Sequence, residues 1–416
     1  MKRVVIVAVG SEMLTPFFQD TDSLFLTRRL NDFGLDVEEK IIVGDESDSL
    51  KKAIREGRDR ADLLFVTGGL GPTDDDRTRE AVAAVLNKPL DVDGRVLAAI
   101  EERFFRRGKT MPPANRKQAE VIRGADVLAN PAGTAPGLWI EEEEKIIVLL
   151  PGPPRELESV FEAHVAPRIS GRSRAHLARK VLKAAGLTES EVETMIQGLY
   201  PRDPGRRLTI LAFPGQIELH VSAFSDVSAE EAERTAESLA SALRERLGPA
   251  VFSDDGSDLE AVVGRLLAER KETIAVAESC TGGLVCRRLT RIAGSSAYFL
   301  EGLVTYSNQA KIGRLGVPAR MIEEHGAVSG ETARAMAEGV RRVSGADYGL
   351  AVTGIAGPSG AAADKPVGLV FCAAAGPGAT RLERFLFLGD RGHIQAQAAQ
   401  KVLDILRRRL EEKPAR

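Results

Sequence analysis

Four short apolar runs rich in β-branched residues, at 4–9, 37–43, 63–67 and 146–150, alternate with amphipathic stretches at 23–33, 49–58, 77–86 and 96–106. A strand followed by a helix cannot join the next strand through a tight hairpin. The helix must cross back over the sheet, which aligns successive strands in parallel and covers both faces. Ligands of such sheets sit at the carboxyl ends of the strands. The pattern returns after residue 273: residues 273–277 form a β-prone apolar run, 279–283 turn the chain, and Val285, Leu289 and Ile292 then share one helix face. Residues 172–248 read differently, with a helix around 189–199, a Pro/Gly-rich turn at 201–205, strands near 208–213 and 217–223, and a long charged helix at 228–247. The expectation is an α/β protein. Two three-layer α/β domains, 1–170 and 254–416, are joined by a small α+β domain at 171–253, with DDGSD at 254–258 as the hinge and Asp258 as cap of a helix beginning at Leu259.

Composition narrows the partners. The 416 residues carry a formal net charge of −3 and a pI near 6.1, which gives no basic field for nucleic acid. Arg103, Arg106, Arg107 and Lys109, and the run from Arg407 to Arg409, read as solvated helix faces. The three cysteines, Cys280, Cys286 and Cys372, are odd in number and lack metal spacing, so they read as reduced thiols of a cytoplasmic protein. No run reaches the ~20 apolar residues of a membrane span. The opening MKRVVIVAVG is short, β-branched and followed by Glu12, so it reads as a buried first strand and not a signal segment.

Chemistry concentrates between residues 273 and 311. The turn at Ser279, Thr281, Gly282 and Gly283 would expose helix-start N–H groups suited to a phosphate or an oxyanion. A second loop holds Gly294, Ser295 and Ser296, and a β-prone run at 303–306 delivers Tyr306, Ser307, Asn308 and, past its end, Lys311. A serine needs a base, and where no histidine is near, a lysine kept neutral by burial serves. No histidine lies in this stretch, which also leaves Cys280 without a partner. On spacing alone a second reading stays open: serines that cap helices and a solvated Lys311.

The blocks AESCTGG, AGSSAYF, VTYSNQAK, HGAVS, VTGIAGPSG, KPVG and GDR, in this order over about 273–393, resemble the nicotinamide-nucleotide amidase (NMN deamidase) domain of the CinA, or competence/damage-inducible, family. The resemblance implies hydrolysis of the carboxamide of nicotinamide mononucleotide to nicotinic acid mononucleotide and ammonia, within pyridine nucleotide recycling and without metal or other cofactor. By similarity, Ser296 is the nucleophile, Lys311 the general base, Tyr306 a proton relay or oxyanion donor, and Ser279 the second hydroxyl. Thr281, Gly282 and Gly283 line the substrate. VTGIAGPS at 352–359 shares the frame V-T-G-x-x-G-P-hydroxyl with VTGGLGPT at 66–73, which brings Thr353 and Gly354 to the same site. Arg391 is a candidate phosphate clamp, since a guanidinium matches phosphate with a forked geometry; a helix cap or a pair with Asp390 is the other reading. His325 of HGAVS follows an amphipathic helix and reads as favouring its negative end.

In the first domain the loop FVTGGLGPTDDDRT places Gly68, Gly69, Gly71 and Thr73 before three aspartates, a phosphate cradle beside carboxylates that invites Mg²⁺ or a similar divalent cation. GSEML, DTDSLFLTRRL, this loop, PPANRKQA, NPAGTAPG and LPGPPREL resemble the molybdopterin-cofactor-biosynthesis-like domain of the same family. That resemblance implies metal-dependent hydrolysis of ADP-ribose to AMP and ribose 5-phosphate, with Asp75 and Asp76 at the metal, Asp20, Asn115 and Gln118 at the substrate, and residues 68–73 around phosphate. The chain departs from the pattern at Thr15, Pro16, Asp22 and Asp74. The middle segment resembles the KH-type connecting domain but lacks a GXXG loop and a basic-aromatic face, so it is expected to act as a spacer or as a contact of the homodimer that the family implies. A different class of function stays open: a non-catalytic nucleotide sensor or scaffold in the competence or damage response.

Overall fold

The computed structural model describes residues 3–170, 176–203 and 205–412. They divide into two compact units, Met1–Leu177 with Phe224–Ala232, and Ala178–Ala223 with Glu233–Arg416.

The first unit is built on strands β1 (Arg3–Val9), β2 (Asp36–Val43), β3 (Leu63–Thr67), β4 (Leu90–Val92), β5 (Glu120–Ile122), β6 (Asp126–Leu128), β7 (Gly137–Glu142) and β8 (Lys145–Leu150). The main sheet has the order β2-β1-β3-β8-β7-β6, and β4 pairs with β5 in a separate ribbon. β2, β1, β3 and β8 are parallel, as the helix crossovers require. The sheet is nevertheless mixed, because β7 runs antiparallel to both β8 and β6. The reason is local: Glu142 pairs with Lys145, so Glu143 and Glu144 form a two-residue hairpin turn, and Glu143 takes a positive φ of 55°. Helices α1 (Asp22–Asp32), α2 (Ser47–Arg60), α3 (Thr78–Leu86), α4 (Gly94–Phe105), α5 (Pro154–Val160) and α6 (Ala166–Ser170) accompany the sheet. Successive β1 residues feed opposite cores: Val5, Val7 and Val9 pack with α2 and α3 residues, whereas Val4 and Ile6 pack with Leu26, Leu30 and Leu157.

The second unit opens with β9 (His176–Ala185), β10 (Arg206–Phe213), β11 (Gln216–Ser225) and β12 (Val251–Ser253), ordered β10-β11-β9-β12, with α7 (Glu189–Met195) and α8 (Ala229–Leu247). Of the expected turn at 201–205, Pro204 lies outside the described residues, as do residues 171–175. The last sheet has the order β14-β13-β15-β16-β17 and uses β13 (Ile274–Glu278), β14 (Phe299–Val304), β15 (Tyr348–Gly354), β16 (Leu369–Ala375) and β17 (Arg381–Leu386). β14, β13 and β15 are parallel; β16 and β17 are antiparallel. Helices α9 (Leu259–Arg270), α10 (Leu284–Thr290), α11 (Asn308–Leu315), α12 (Ala319–His325), α13 (Gly330–Ser344) and α14 (Arg391–Glu411) complete it.

Three expectations need correction. The strand anticipated at 303–306 is β14 and ends at Val304, leaving Tyr306 beyond it and Lys311 inside α11. Asp258 stands at the N-cap of α9 but gives no side-chain cap: its carboxylate meets Lys183 Nζ at 2.8 Å and also pairs with Arg291. Arg407 and Arg409 are buried, not solvated. Arg407 donates to Asp404, Glu411 and the Pro249 carbonyl, and Arg409 to the carbonyls of Ala374 and Pro377. A buried guanidinium is tolerable only when its donors are used in this way. A polar chain also runs through this unit. Arg288 donates to Glu260 and to Gln400 Oε1, Gln400 Nε2 donates to Gln216 (3.1 Å), Gln216 to Glu218, and Glu218 pairs with Lys183.

Candidate functional site

β13 ends on Glu278 and Ser279 follows at once, while β14 ends one residue before Thr305. Ser307 caps α11 by accepting from the Ala310 amide at 3.1 Å, which starts the helix immediately and carries Lys311 through its first turn. The Lys311 amine folds back to lie 3.0 Å from Ser279 Oγ, 2.8 Å from the Thr305 carbonyl and 3.3 Å from the Tyr306 carbonyl. Lys311 is 1% exposed and Ser279 8%. Burial pushes the Lys311 amine below its ordinary 10.5, because an ammonium loses its hydration there. A neutral amine has two N–H donors and one lone pair. An ammonium here donates to Ser279 Oγ and to both carbonyls; on losing a proton the amine keeps the two carbonyls and turns its lone pair to the Ser279 hydroxyl.

Ser296 is not part of this arrangement. It sits exposed in the short 3₁₀ turn Ser295–Ala297 that precedes β14, and Ile274 at the start of β13 is paired with Phe299 at the start of β14. Ser279 and Lys311 follow the opposite ends of those parallel strands. Five residues of strand at ~3.3 Å each put roughly 15 Å between the two serines. The pairing of Ser296 with Lys311 is therefore corrected: the hydroxyl in contact with the amine is that of Ser279.

The helix start that was expected to be free for an anion is already occupied. Glu278, fully buried, accepts from the amides of Gly283 (3.0 Å), Val285 (3.2 Å) and Cys286 (2.8 Å). A carboxylate in this position satisfies the orphan N–H groups and the positive helix end together. Gly282 and Gly283 take φ of 61° and 102°, which shape the turn, and the buried Thr281 has a hydroxyl with no hydrogen-bond partner among the described residues. Cys280 is buried and its thiol is pushed up to about 12, chiefly by desolvation, so it stays protonated at neutral pH.

Tyr306 is exposed, and its phenol accepts from Arg391 Nη2 at 3.1 Å. Arg391 Nη1 donates to the Gly357 carbonyl at 2.8 Å, whereas Asp390 caps α14 by accepting from the His393 amide. Thr353, buried, donates to the Ala327 carbonyl, and Gly354 is a glycine because β16 passes so close that a Cβ would stand 2.7 Å from the Leu369 carbonyl. Its counterpart in the first unit, Gly68, takes φ of 86° and would collide with the Val9 carbonyl. The shared V-T-G frame thus answers two different backbone demands. His325 ends α12, and its carbonyl accepts from Lys365.

In the first unit a cavity of about 570 Å³ opens at the carboxyl ends of β1, β3 and β8. Gly68, Gly69, Gly71, Asp75, Asp76 and Gln118 line it, together with Glu12, Asp45 and Glu156. Asp76 organises the loop: its carboxylate accepts from the amides of Gly71 and Thr73, each at 2.8 Å, and from the Thr73 hydroxyl. Asn115 donates to Gln118 at 2.8 Å, which fixes that amide at the cavity edge. Asp20 instead serves α1, accepting from the Ser23 amide and hydroxyl. Among the described residues no group of three or more His, Cys, Asp or Glu is gathered as a metal cage. Both oxygens of Asp76 already accept N–H or O–H donors, so a hard cation beside Asp75 would have to take most of its ligands from phosphate and water.

Glu278 and the α14 residue Gln395 escaped the sequence reading. Glu278 stands inside AESCTGG but looks like a strand terminus, and only its distance to the next amides reveals a cap. Gln395 lies far along the chain and reaches the turn through folding alone, donating to the Cys280 carbonyl at 2.7 Å.

Fold and site together define a multidomain α/β protein with a domain of the molybdopterin-binding fold first, a KH-type domain next and a sheet bearing a buried serine and lysine last. The chain belongs to the CinA family. Residues 5–171 match the probable molybdopterin binding domain, 179–253 the damage-inducible protein CinA KH domain and 256–410 the CinA C-terminal domain. It is 44% identical over 410 residues to a CinA-like protein of Koribacter versatilis, covering 97% of this chain and 99% of the relative. A CinA-like protein of Acidobacterium capsulatum is 45% identical over 410 residues, with the same coverage of 97% and 99%. A crystal structure of competence damage-inducible protein A from Klebsiella pneumoniae is 36% identical, covers 38% of this chain and 97% of that one, and has a TM-score of 0.37. No helix among the described residues is long and apolar enough to cross a membrane.

Proposed function

We propose that the last domain hydrolyses the carboxamide of nicotinamide mononucleotide, with Ser279 as nucleophile and Lys311 as general base. The observation that carries this is the approach of a buried amine, its pKa lowered, to a buried hydroxyl at 3.0 Å, with two carbonyls taking the amine's N–H groups. Lys311 takes the hydroxyl proton as Ser279 Oγ attacks the carboxamide carbon. The oxyanion collapses, ammonia departs with the proton returned by Lys311, and water, deprotonated by the same amine, cleaves the ester to the free acid. Tyr306 and Arg391, joined by a hydrogen bond, are the groups assigned here to the ribotide. Ammonia release from nicotinamide mononucleotide by the purified full chain tests the activity. Loss in Ser279→Ala with retention in Ser296→Ala tests the assignment, and the reverse pattern rejects it.

For the first unit we propose hydrolysis of ADP-ribose to AMP and ribose 5-phosphate, on the strength of the glycine-walled cavity beside Asp75 and Asp76. A divalent cation held there by Asp75 and Asp76 would neutralise phosphate charge when bound. Gly68, Gly69 and Gly71 give the diphosphate a backbone surface without side chains, and Gln118 offers an amide to the sugar. Formation of AMP with and without Mg²⁺ measures this. Binding of both nucleotides without turnover of either would favour the sensor reading instead. Homodimers and a cytoplasmic location accompany the proposal as family expectations, and the oligomeric mass in solution tests the first.

A further inference from the structure

Acyl transfer at Ser279 requires donors for the oxyanion, and those at the helix start are spent. The first amides of α10 at Gly283, Val285 and Cys286 all donate to Glu278. Within the turn, the Gly282 amide donates to the Ser279 carbonyl and the Leu284 amide to the Thr281 carbonyl. Two amides of this turn, those of Cys280 and Thr281, have no acceptor among the described residues; the peptide carrying the first is held within the turn, by the Gly282 amide on the Ser279 carbonyl, and the peptide carrying the second is held from outside it. Gln395 Nε2, reaching from α14, donates to the Cys280 carbonyl at 2.7 Å. In a trans peptide the C=O of one residue and the N–H of the next point in opposite directions across a rigid plane. Fixing the Cys280 carbonyl toward α14 therefore aims the Thr281 N–H away from α14.

We infer that Gln395 is a positioning residue that locks the Cys280–Thr281 peptide so that the Thr281 N–H receives the oxyanion formed on Ser279. This rests on the amidase reading of the site. The Ser279 carbonyl, one residue earlier along the backbone, is itself pinned by the Gly282 amide, so nucleophile and donor are held in one rigid turn. Rigidity is what an oxyanion donor needs, because a dipole that must reorient during the reaction stabilises little. The same helix steadies the neighbouring loops one turn earlier, where Arg391 holds the Gly357 carbonyl and the Tyr306 phenol.

The test uses the full chain and Gln395→Met, which keeps length and shape but removes the donor. The expected result is a fall in kcat of roughly 10- to 10²-fold with KM, thermal midpoint and the pH dependence of the rate unchanged. An aldehyde analogue of the carboxamide, whose adduct with Ser279 carries an oxyanion, should lose affinity by the same factor while the amide substrate does not. Unchanged kcat, or a parallel loss of kcat, KM and thermal midpoint, would overturn the inference. Absence of amide hydrolysis in the parent protein would instead remove the reading on which it rests, so the two failures are told apart.

Discussion

The glycine-rich turn after β3 and the one after β13 are built alike and used differently. Each is folded by a carboxylate that accepts from its own amides, Asp76 in the first and Glu278 in the second. Asp76 lies after its glycines and stays at the rim of an open cavity; the Gly68 amide donates to the Leu150 carbonyl, and among the described residues the Gly69 amide is left for a ligand. Glu278 lies before its glycines and fills the helix end, so that turn has few amides to lend and presents a nucleophile instead. A glycine-rich turn at a strand end therefore does not of itself signal a phosphate site. What matters is which amides its carboxylate has already taken.

The sharpest way to break this comparison is to remove the reacting groups of the second turn. Lys311→Ala and Ser279→Ala should each lower ammonia release by at least ~10²-fold without affecting AMP formation from ADP-ribose. Asp76→Ala is the mirror experiment: it frees the amides of Gly71 and Thr73, and should lower ADP-ribose hydrolysis ~10-fold or more while ammonia release stays intact. Glu278→Gln keeps the shape but exchanges an anion for a neutral amide against three N–H groups, and should cost about 1–3 kcal/mol of stability in chemical denaturation.

Smaller effects follow from titration. Since burial lowers the Lys311 pKa, ammonia release should rise with pH along a limb that lies below 10.5 and should vanish as the amine is protonated at lower pH. The folded state binds fewer protons at Lys311 than the unfolded state between the lowered value and 10.5, so this group adds stability as pH climbs through that window. Asp22 works the other way in the first unit. Desolvation first, then Asp20 and Glu158, raise its carboxyl from 3.8 to about 7, so stability falls as pH rises between those values. Asp22→Asn should raise the thermal midpoint of the first unit by ~2–4 °C at pH 8 and hardly at all at pH 4, measured by scanning calorimetry.

Much of the fold was legible because buried parallel strands have an unmistakable composition: the strand read at 63–67 is the observed Leu63–Thr67, buried throughout. β7 was missed because its apolar LWI runs into a stretch of glutamates that looks like surface and is in fact a hairpin turn. β14 was misplaced because Glu301 and Gly302 interrupt its apolar character. The site was half legible. Lys311 and the turn at Ser279 stood out by residue type, but Ser296 is nearer to Lys311 along the chain, and only strand direction shows that it lies at the far end of the sheet. Arg407 and Arg409 were read as surface because charge is the visible signal in a sequence, whereas the carbonyls that accept from them come from distant segments.

The Gln400 to Gln216 contact has a consequence for protein engineering. Gln400 is nearly buried and divides its amide between Arg288 of the last domain and Gln216 of the KH-type domain. A chain trimmed to begin at 254 would uncover one half of that amide while leaving Arg288 dependent on the other, and would strip the cover from the helix that carries Gln395. Anyone excising the last domain as a stand-alone biocatalyst should therefore redesign position 400 and its surroundings for water before judging the excised piece inactive.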